Sequence, residues 1–451
     1  MEVAGPPHSP LNISSSEPFA PTKVPRAQRP KPNPSPMSTT AIQSPVHGGL
    51  DTPVCRIDAN AAQEGLATVT VTEVDETTLY RIADGTLSPL TGPMNQADYN
   101  NVLANAAIER GGKNWAWTIP IILPITDAEA GACASGTKVS LINSAGKNIG
   151  TLTVADTYAW DKAAFIKAIY RTERTDHPGA RLWTADERST ILGGEITLVP
   201  FEDSRPFAGR VMSPTQTRAL VAAEGWEQSI AFQTRNPLHR AHEYALVYGA
   251  EMVLRENGKK TGIVLNPLVG QLKGDDVPAD TRMETYEALI ANRLLGEGDK
   301  DTELWTSNDQ DLNDQLRLVG LDMRMYYGGP AEAVMHAIYR QNLGFTHFII
   351  GRKHADAPFD DKTAIWGDFD AQEVFDNLGG ALSIKTVNVG FAAYFEEIGR
   401  VGLMESNKEN TSVFISGTKV RSQLVAGENP DPRIMRETTA KILVDFYKTK
   451  A

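Results

Sequence analysis

The sequence predicts an α/β protein in which a β-rich N-terminal domain precedes a domain with a parallel sheet. Between about residues 50 and 205, short runs of β-branched residues are separated by turn residues, which is typical of small β domains. Between about 206 and 390, apolar strands alternate with helical segments, the pattern of a parallel sheet with crossover helices. We therefore divide the 451 residues into an extension at 1–45, a β-rich domain at 46–205, an α/β domain at 206–390 and a small C-terminal lobe at 391–451.

The N-terminal extension is rich in proline and serine and has no apolar periodicity, which predicts disorder. It lacks the apolar core of a secretory signal. A transit peptide is an alternative, but Glu2, Glu17 and the scarcity of arginine give it weak support. Met37 is a candidate start site, which would make the upstream residues an extension without function.

In the β-rich domain the alternation of β-branched residues predicts strands at Leu66–Val71 and Lys138–Ile142. A helix is expected near Gln96–Arg110. In the lobe after Gly390, Ser416 is a plausible N-cap for a helix through Leu424, and a final helix is expected from about Pro432 to Tyr447.

In the α/β domain, strands are predicted at Ile230–Phe232, Gly262–Leu268 and Thr346–Ile350, each followed by a helical segment. Ligands of parallel sheets bind beyond the carboxyl ends of the strands. The residues that follow the first and third of these strands are therefore expected to face one site.

The segment Gln233–His242 follows the first of these strands and predicts an anion site at a helix N-terminus. Asn236 suits the N-cap and Pro237 the first helical position, and such an end attracts phosphate or sulfate. His239 and His242 are three residues apart and are expected on one helix face. The histidine pair alone could equally be a polar helix edge with a structural role.

Composition excludes several classes of protein. The net charge of -12 argues against a nucleic-acid-binding protein. No apolar run has the length of a membrane span. Two cysteines, Cys55 and Cys133, leave no disulfide framework, so a cytoplasmic location is expected. Any attraction of anionic substrates must be local. Three short segments could supply it, with the cations Arg235 and Arg240, Arg352 and Lys353, and Lys419 and Arg421.

The string Gln233–His242 resembles the QTRNPxHRAH signature of the ATP sulfurylase family, a branch of the nucleotidyltransferases. Similar matches follow in the family's order from about residue 50 to the C-terminus. They include Leu87–Gly92, Asp176–Gly179, Met323–Arg324 with Gly329–Ala333, Ile350–Ala355, which is similar to GRDHAG, and Ile415–Arg421, which is similar to ISGTxxR.

The resemblance implies a PUA-like N-terminal domain and a Rossmann-like nucleotidyltransferase domain. It implies an enzyme that transfers the adenylyl group of ATP to sulfate, giving adenylylsulfate and pyrophosphate, in a reversible in-line displacement without a covalent intermediate. Mg²⁺ would arrive with ATP, and a homo-oligomer is expected. The GxxxxGK[ST] motif is absent, so the adenylylsulfate kinase domain of some family members is not expected.

The resemblance also implies roles for individual residues. Sulfate would be bound by Gln233, Arg235 and the Ala355 backbone N–H. The catalytic positions would be Thr234, Arg235, Asn236, His239 and His242. ATP would be bound by Gln233, Asn236, His239, His242, Gly351, Arg352, Lys353 and His354, with adenine near Ala392 or Ala393. Arg421 would hold the lobe near the phosphates, or it would form a salt bridge that orients its own loop.

The chain departs from the family pattern at several positions. Lys353 stands where aspartate is usual, Asp356 where glycine is usual, and Asn266 where many members have histidine. Phe395–Gly399 replaces a cysteine-rich metal insert found in some members, so zinc is not expected.

Two alternatives remain. One is another nucleotidyltransferase of the paired-histidine class that acts on a different acceptor. The pairing of Gln233 with Arg235 favours sulfate, because such a pocket needs an amide donor beside a fixed cation. The other is a non-enzymatic binding or regulatory subunit, against which the retained motif side chains argue.

Overall fold

The computed structural model describes residues 41–271, 276–413 and 417–450. The predicted disordered extension falls almost entirely outside these ranges, as does the proposed N-cap Ser416. Within the described residues, a β-rich region is followed by a five-stranded parallel sheet and a C-terminal group of short strands and helices. The predicted α/β class is confirmed.

The β-rich region is organised around one mixed sheet with the strand order β1-β5-β6-β7-β4. The strands β2 and β3 form a separate hairpin. The elements in chain order are β1 (Ala67–Thr70), α1 (Glu73–Ala83), α2 (Gln96–Asn105), β2 (Ala107–Arg110), β3 (Lys113–Ala116), β4 (Pro124–Ile125), α3 (Asp127–Ala130), β5 (Lys138–Ile142), β6 (Asn148–Ala159), α4 (Lys162–Tyr170), α5 (Pro178–Thr184) and β7 (Thr190–Leu198).

The two strands predicted in this region are confirmed as β1 and β5, but the helix expected over Gln96–Arg110 is too long. It ends at Asn105, because Ala106 adopts a left-handed conformation with φ 50°. The following residues form β2, which turns through Gly111 and Gly112, both with positive φ, into β3. Cross-strand pairing and burial of Ile108 therefore override the helical preference of this segment.

The α/β region contains a sheet in the order β10-β9-β8-β11-β12, with every neighbouring pair parallel. All residues of β8 and β9 are buried, as expected when helices cover both faces of a sheet. The elements are α6 (Pro214–Glu224), β8 (Gln228–Phe232), α7 (Arg240–Asn257), β9 (Thr261–Leu265), α8 (Ala279–Ala291), α9 (Thr302–Ser307), α10 (Leu312–Gln315), β10 (Leu316–Leu318), α11 (Pro330–Asn342), β11 (His347–Gly351), α12 (Asp370–Glu373) and β12 (Lys385–Val389).

The helix after β8 begins later than the sequence predicts. Its N-cap is His239 and not Asn236, and the first helical residue is Arg240 and not Pro237. The preceding loop is fixed by other bonds: the Thr234 hydroxyl accepts from the Asn236 N–H at 3.1 Å, and the Tyr286 hydroxyl donates to the Asn236 carbonyl at 2.7 Å. These tertiary contacts keep Asn236 out of the helix.

The C-terminal region contains β13 (Ala392–Phe395), β14 (Arg400–Leu403), β15 (Ser412–Val413), α13 (Gly417–Val425) and α14 (Glu437–Lys450). The strands form an antiparallel sheet in the order β14-β13-β15. The last helix starts at Glu437 and not near Pro432, because residues before it form a turn in which the Ile434 carbonyl accepts the Arg240 N–H at 2.8 Å. Among the described residues, no helix has both the length and the apolar composition to span a bilayer.

A buried ion pair joins α7 to the start of α14. Arg436 Nε lies 2.8 Å from Glu243 Oε2, and the Glu243 side chain is fully buried. Arg436 also donates to the Glu297 carbonyl at 2.8 Å. Burial raises the pKa of Glu243, so this carboxylate depends on its partner for charge compensation.

Arg436→Met is expected to lower the free energy of unfolding by about 3 kcal/mol, because it leaves a buried carboxylate unpaired. The loss should be larger near pH 8 than near pH 5. Without Arg436 the folded-state pKa of Glu243 rises further, and stability is lost as pH rises through that pKa. Urea denaturation at both pH values measures this. The control Glu243→Gln/Arg436→Met should recover much of the loss; equal losses at both pH values would contradict the assignment.

Candidate active site

A cavity of about 330 Å³ opens at the carboxyl edge of the parallel sheet. Its walls come from the loops after β8 and β11 and from the chain after β12, as the shared edge of parallel strands requires. Every residue for which the sequence predicts a site role through these loops lines it: Gln233, Thr234, Arg235, Asn236, His239, His242, Gly351, Arg352, Lys353, His354 and Ala355.

The cavity also has walls that the sequence did not indicate. Met325 lies on one side. Val389 is the last residue of β12, and Gly390 and Phe391 follow it. The position of β12 next to β11 explains the latter three, since its carboxyl end reaches the same edge. The sequence did not indicate these three walls, because the predicted boundary between the α/β domain and the C-terminal lobe falls at residue 390.

The two histidines of the Gln233–His242 segment stack, with ring centroids 3.8 Å apart and an interplanar angle of 19°. His239 caps α7, because its Nδ1 atom accepts the His242 N–H at 3.4 Å. Burial lowers the pKa of His239 to about 4 and the pKa of His242 well below its usual value. Both rings are therefore neutral near pH 7. His242 Nδ1 and Gln233 Oε1 are buried without a hydrogen-bond partner.

Arg235 supplies a cation to the same cavity, and its charge is compensated by a residue that the sequence did not indicate. Its Nη1 atom lies 3.2 and 3.1 Å from the two carboxylate oxygens of Asp276. The guanidinium carbon lies 5.6 Å from the centroid of the Tyr327 ring. The Asp276 carboxylate compensates the charge of Arg235 at the cavity, and an incoming anion could replace this carboxylate.

The loop after β11 is strained and tied to Asp368. Lys353 and Ala355 have φ values of 50° and 56°, a conformation that non-glycine residues adopt at a cost of about 1 kcal/mol each. The Lys353 N–H donates to the Asp368 carbonyl at 2.9 Å. The Asp368 carboxylate lies 2.7 Å from Arg352 Nη1 and 3.4 Å from Lys353 Nζ. Both cations therefore share one carboxylate at the rim.

Arg240 does not contribute to the local positive field that the sequence predicts. Its guanidinium forms a paired contact with Asp299, with Nη2 2.6 Å from Oδ1 and Nε 3.0 Å from Oδ2. The Asp299 side chain is fully buried, and Arg240 does not line the cavity. Of the two remaining cations, Arg421 lines an adjoining cavity together with Asn236, His239 and His242, whereas Lys419 lines neither.

The departures from the family pattern have distinct surroundings. Asn266 is buried directly after β9, where its side-chain amide donates to the Val319 carbonyl and its backbone carbonyl accepts from Arg340 at 3.2 Å. Asp356 has a pKa raised by burial. Of the segment Phe395–Gly399, Phe395 ends β13 and the other four residues form the turn to β14.

A second, more apolar cavity of about 250 Å³ adjoins the first. The two share His239, Ala241, Phe391 and Ala392 as walls. The second extends along Ala393 and Tyr394 of β13 to Val401 and to Val420 of α13. A polar compartment and an apolar compartment therefore lie side by side, which suits a ligand with a charged end and a flat apolar end.

Known proteins resemble this chain over almost all of the described residues. The model of the ATP-sulfurylase family matches residues 209–446, and that of a PUA-like domain matches residues 51–201. A protein of Pyropia yezoensis described as a sulfate adenylyltransferase is 62% identical over 410 residues, covering 90% of this chain and 98% of that protein. One of Deinococcus radiodurans with the same description is 37% identical, covering 82% and 87% respectively.

Among solved structures, the hexameric APS kinase from Thiobacillus denitrificans superposes with a TM-score of 0.64, covering 88% of this chain and 67% of that one. Its sequence identity is 17%, so this similarity concerns the fold alone. The PUA-like prediction for the N-terminal domain is confirmed by the domain match. By its family-model match and its relatives, the chain belongs to the ATP-sulfurylase family.

Proposed function

We propose that the protein transfers the adenylyl group of ATP to sulfate, giving adenylylsulfate and pyrophosphate, and that the reaction is reversible. The main support is the single cavity that contains an amide–arginine pair, two stacked neutral histidines and the loop after β11. The names of the relatives agree with this activity.

The chemistry needs positioning more than it needs a protein nucleophile. Sulfate is a dianion, so an oxygen can attack the α-phosphorus without a general base, and pyrophosphate leaves in line. The protein must hold two anions that repel each other and neutralise charge on the leaving group. Among the described residues that line the cavity there is neither serine nor cysteine. We therefore propose a direct displacement without a covalent intermediate.

For sulfate, we propose binding by the Gln233 side chain, the Arg235 guanidinium and the Ala355 backbone N–H. Arg235 would exchange its contact with Asp276 for the incoming dianion. The planar guanidinium can donate two parallel hydrogen bonds to such an oxyanion. Ala355 adopts a left-handed conformation, with φ 56°. The loop backbone therefore turns at the residue whose N–H is proposed to bind sulfate.

For ATP, we propose that His239 and His242 donate to the phosphates, with Gln233, Asn236 and the Gly351–His354 loop holding the nucleotide. Thr234 and Asn236 would act by fixing the loop that carries these groups, since they are hydrogen-bonded to each other. The apolar compartment beside Ala392 and Ala393 would receive the adenine. Arg421, at the adjoining cavity, would close the site from the C-terminal lobe.

Mg²⁺ is proposed as part of the substrate and enters with ATP. Within the described ranges, no three histidine, cysteine, aspartate or glutamate side chains are grouped so that they could hold a metal ion. The phosphate oxygens of ATP and water would therefore supply its ligands, as is usual for Mg²⁺ at nucleotide sites.

Pyrophosphate release from MgATP tests this function against the two alternatives. We expect release that requires sulfate and saturates with it. Release that requires another acceptor and not sulfate would favour a different nucleotidyltransferase. Nucleotide binding without any release, whichever oxyanion is added, would favour a non-enzymatic subunit. The same assay with Gln233→Glu is a matched test of the acceptor site, because a carboxylate of equal shape repels sulfate and should raise its KM more than the KM for ATP.

A further inference from the structure

Every residue of helix α11 except Ala331 is buried, yet one face of the helix carries ionisable side chains. Glu332, His336 and Arg340 are spaced four residues apart and therefore stack along one side of the helix. All three are 0% exposed. Burying such groups is costly unless each is matched by a partner. Each of the three side chains is therefore expected to have a compensating contact.

Glu332 is held by backbone donors. Its two carboxylate oxygens accept the N–H groups of Tyr326 at 2.8 Å and Gly328 at 3.0 Å. His336 Nε2 lies 3.2 Å from Glu332 Oε1, a contact that falls short of hydrogen-bond geometry. Burial raises the pKa of Glu332 to about 7 and lowers the pKa of His336 well below its usual value. Glu332 therefore holds its proton far more readily than a free carboxyl group does, and His336 is neutral.

The opposite edge of the His336 ring reaches the candidate active site. His336 Nδ1 lies 2.9 Å from Nε2 of His354, and the two rings meet edge to face at 74° with centroids 5.2 Å apart. His354 lines the cavity. Since its Nε2 atom is used by His336, the Nδ1 atom is the ring nitrogen left for a ligand.

Arg340 anchors the same face one turn further along. Its Nη1 atom donates to the His336 carbonyl at 3.2 Å, and its Nη2 atom donates to the Asn266 carbonyl at 3.2 Å. The guanidinium lies 4.8 Å from the centroid of the Phe348 ring in β11. The helix face is thereby fixed to the ends of β9 and to β11, the strand that leads into the cavity loop.

We propose that Glu332 and His336 are positioning residues for the adenylyl transfer, which fix the His354 ring so that its Nδ1 atom is directed at the bound nucleotide. This inference rests on the proposed function, because it gives His354 a role in holding ATP. It adds two buried residues that do not line the cavity.

A buried contact of this kind sets both the orientation of the His354 ring and the nitrogen that carries its hydrogen. Protonation of Glu332 places an O–H beside His336 Nε2, 3.2 Å away, which favours the tautomer of His336 with its hydrogen on Nδ1. His336 Nδ1–H then donates to His354 Nε2, and His354 presents Nδ1–H as a donor toward the cavity, which is what a phosphate or ribose oxygen needs. Loss of such an orienting partner typically costs about ten- to a hundredfold in binding or activity.

A double-mutant cycle tests the proposal. His336→Phe is expected to lower kcat/KM for ATP about tenfold, and His354→Asn should lower it at least as much. Because His336 acts through His354, adding His336→Phe to His354→Asn should cost little more. The KM for sulfate should change less than the KM for ATP in His336→Phe, since two of the three proposed sulfate ligands, Gln233 and Arg235, lie on the other loop. His336→Asn should retain part of the activity, because its amide can replace Nδ1 but not Nε2.

His347→Phe is the matched control. His347 is also buried and has one ring contact, Nδ1 to Thr346 Oγ1 at 2.9 Å, but it lies at the far end of β11 from the cavity. It should lose thermal stability like His336→Phe and keep wild-type kinetics. If His336→Phe does not fold, His336→Gln, whose amide reaches the Nε2 position only, replaces it in the cycle.

The inference is wrong if His336 substitution costs the same factor with and without His354, or if the control loses as much activity. These outcomes differ from a failure of the proposed function, in which the wild-type protein itself would show no sulfate-dependent release of pyrophosphate.

Discussion

Arg235→Ala is expected to lower turnover by about 10²-fold or more, the usual cost of removing a preorganised donor from a site of charge development. Arg235 lines the polar cavity, and its guanidinium is paired with the Asp276 carboxylate. In the proposed reaction this cation offsets the repulsion between sulfate and the phosphates of ATP. Without it, the Asp276 carboxylate is left facing the anion site and adds to the repulsion.

Arg235→Lys should recover little of this loss, because an ammonium group cannot donate two parallel hydrogen bonds to one oxyanion. Steady-state kinetics with sulfate and ATP varied separately will measure the effect. Near-normal turnover in the lysine variant would show that Arg235 contributes only its positive charge and not a two-point hydrogen bond.

Arg240→Lys is the matched control for this substitution. Arg240 belongs to the same segment but is paired with the buried Asp299 outside the cavity. The change should lower the melting temperature by disturbing a two-point contact, and it should leave kcat close to that of the wild type. Similar kinetic losses at both positions would contradict the assignment of Arg235 to the anion site.

His239→Ala and His242→Ala are each expected to lower kcat by about 10²-fold, with a much smaller change in nucleotide affinity. Both rings are neutral, because burial lowers their pKa values. As negative charge moves toward pyrophosphate, their N–H donors should bind the transition state more tightly than bound ATP.

Because His239 is the N-cap of α7, its replacement by alanine affects both catalysis and helix stability. A second substitution at the same position can separate the two effects. Loss of a cap costs about 1 kcal/mol, so His239→Ala should reduce both kcat and stability. His239→Asn retains a capping side chain and should reduce kcat alone. If the histidines were only a structural pair, His239→Asn would keep wild-type kcat, and His242→Ala would lose stability without losing activity.

The meeting of the two loops could be predicted from the sequence, because it follows from a simple geometric rule. The strands ending at Phe232 and near Ile350 are short, apolar and followed by helices, and parallel strands end at one edge. The structure places them as the neighbours β8 and β11. The residues after them therefore share a cavity.

What the sequence did not indicate depends on contacts between distant residues. Helix α7 begins later than predicted because Tyr286, from α8, donates a hydrogen bond to the Asn236 carbonyl. Arg240 lies outside the site because Asp299, nearly sixty positions away in the sequence, forms an ion pair with it. The partner of Arg235 and the contact between His336 and His354 likewise join different elements. Local propensity contains no information on such pairs, whereas burial and charge compensation determine them.

Exchange of labelled pyrophosphate into ATP tests the central proposal most directly, because it reports the chemical step in both directions. A direct displacement on the α-phosphorus by sulfate requires that exchange occurs when sulfate and MgATP are both present, and that it is absent without sulfate. Exchange without sulfate would contradict the proposal by indicating a covalent adenylyl-enzyme. Failure of exchange with sulfate present, in a protein that binds ATP, would show that this cavity performs some other reaction.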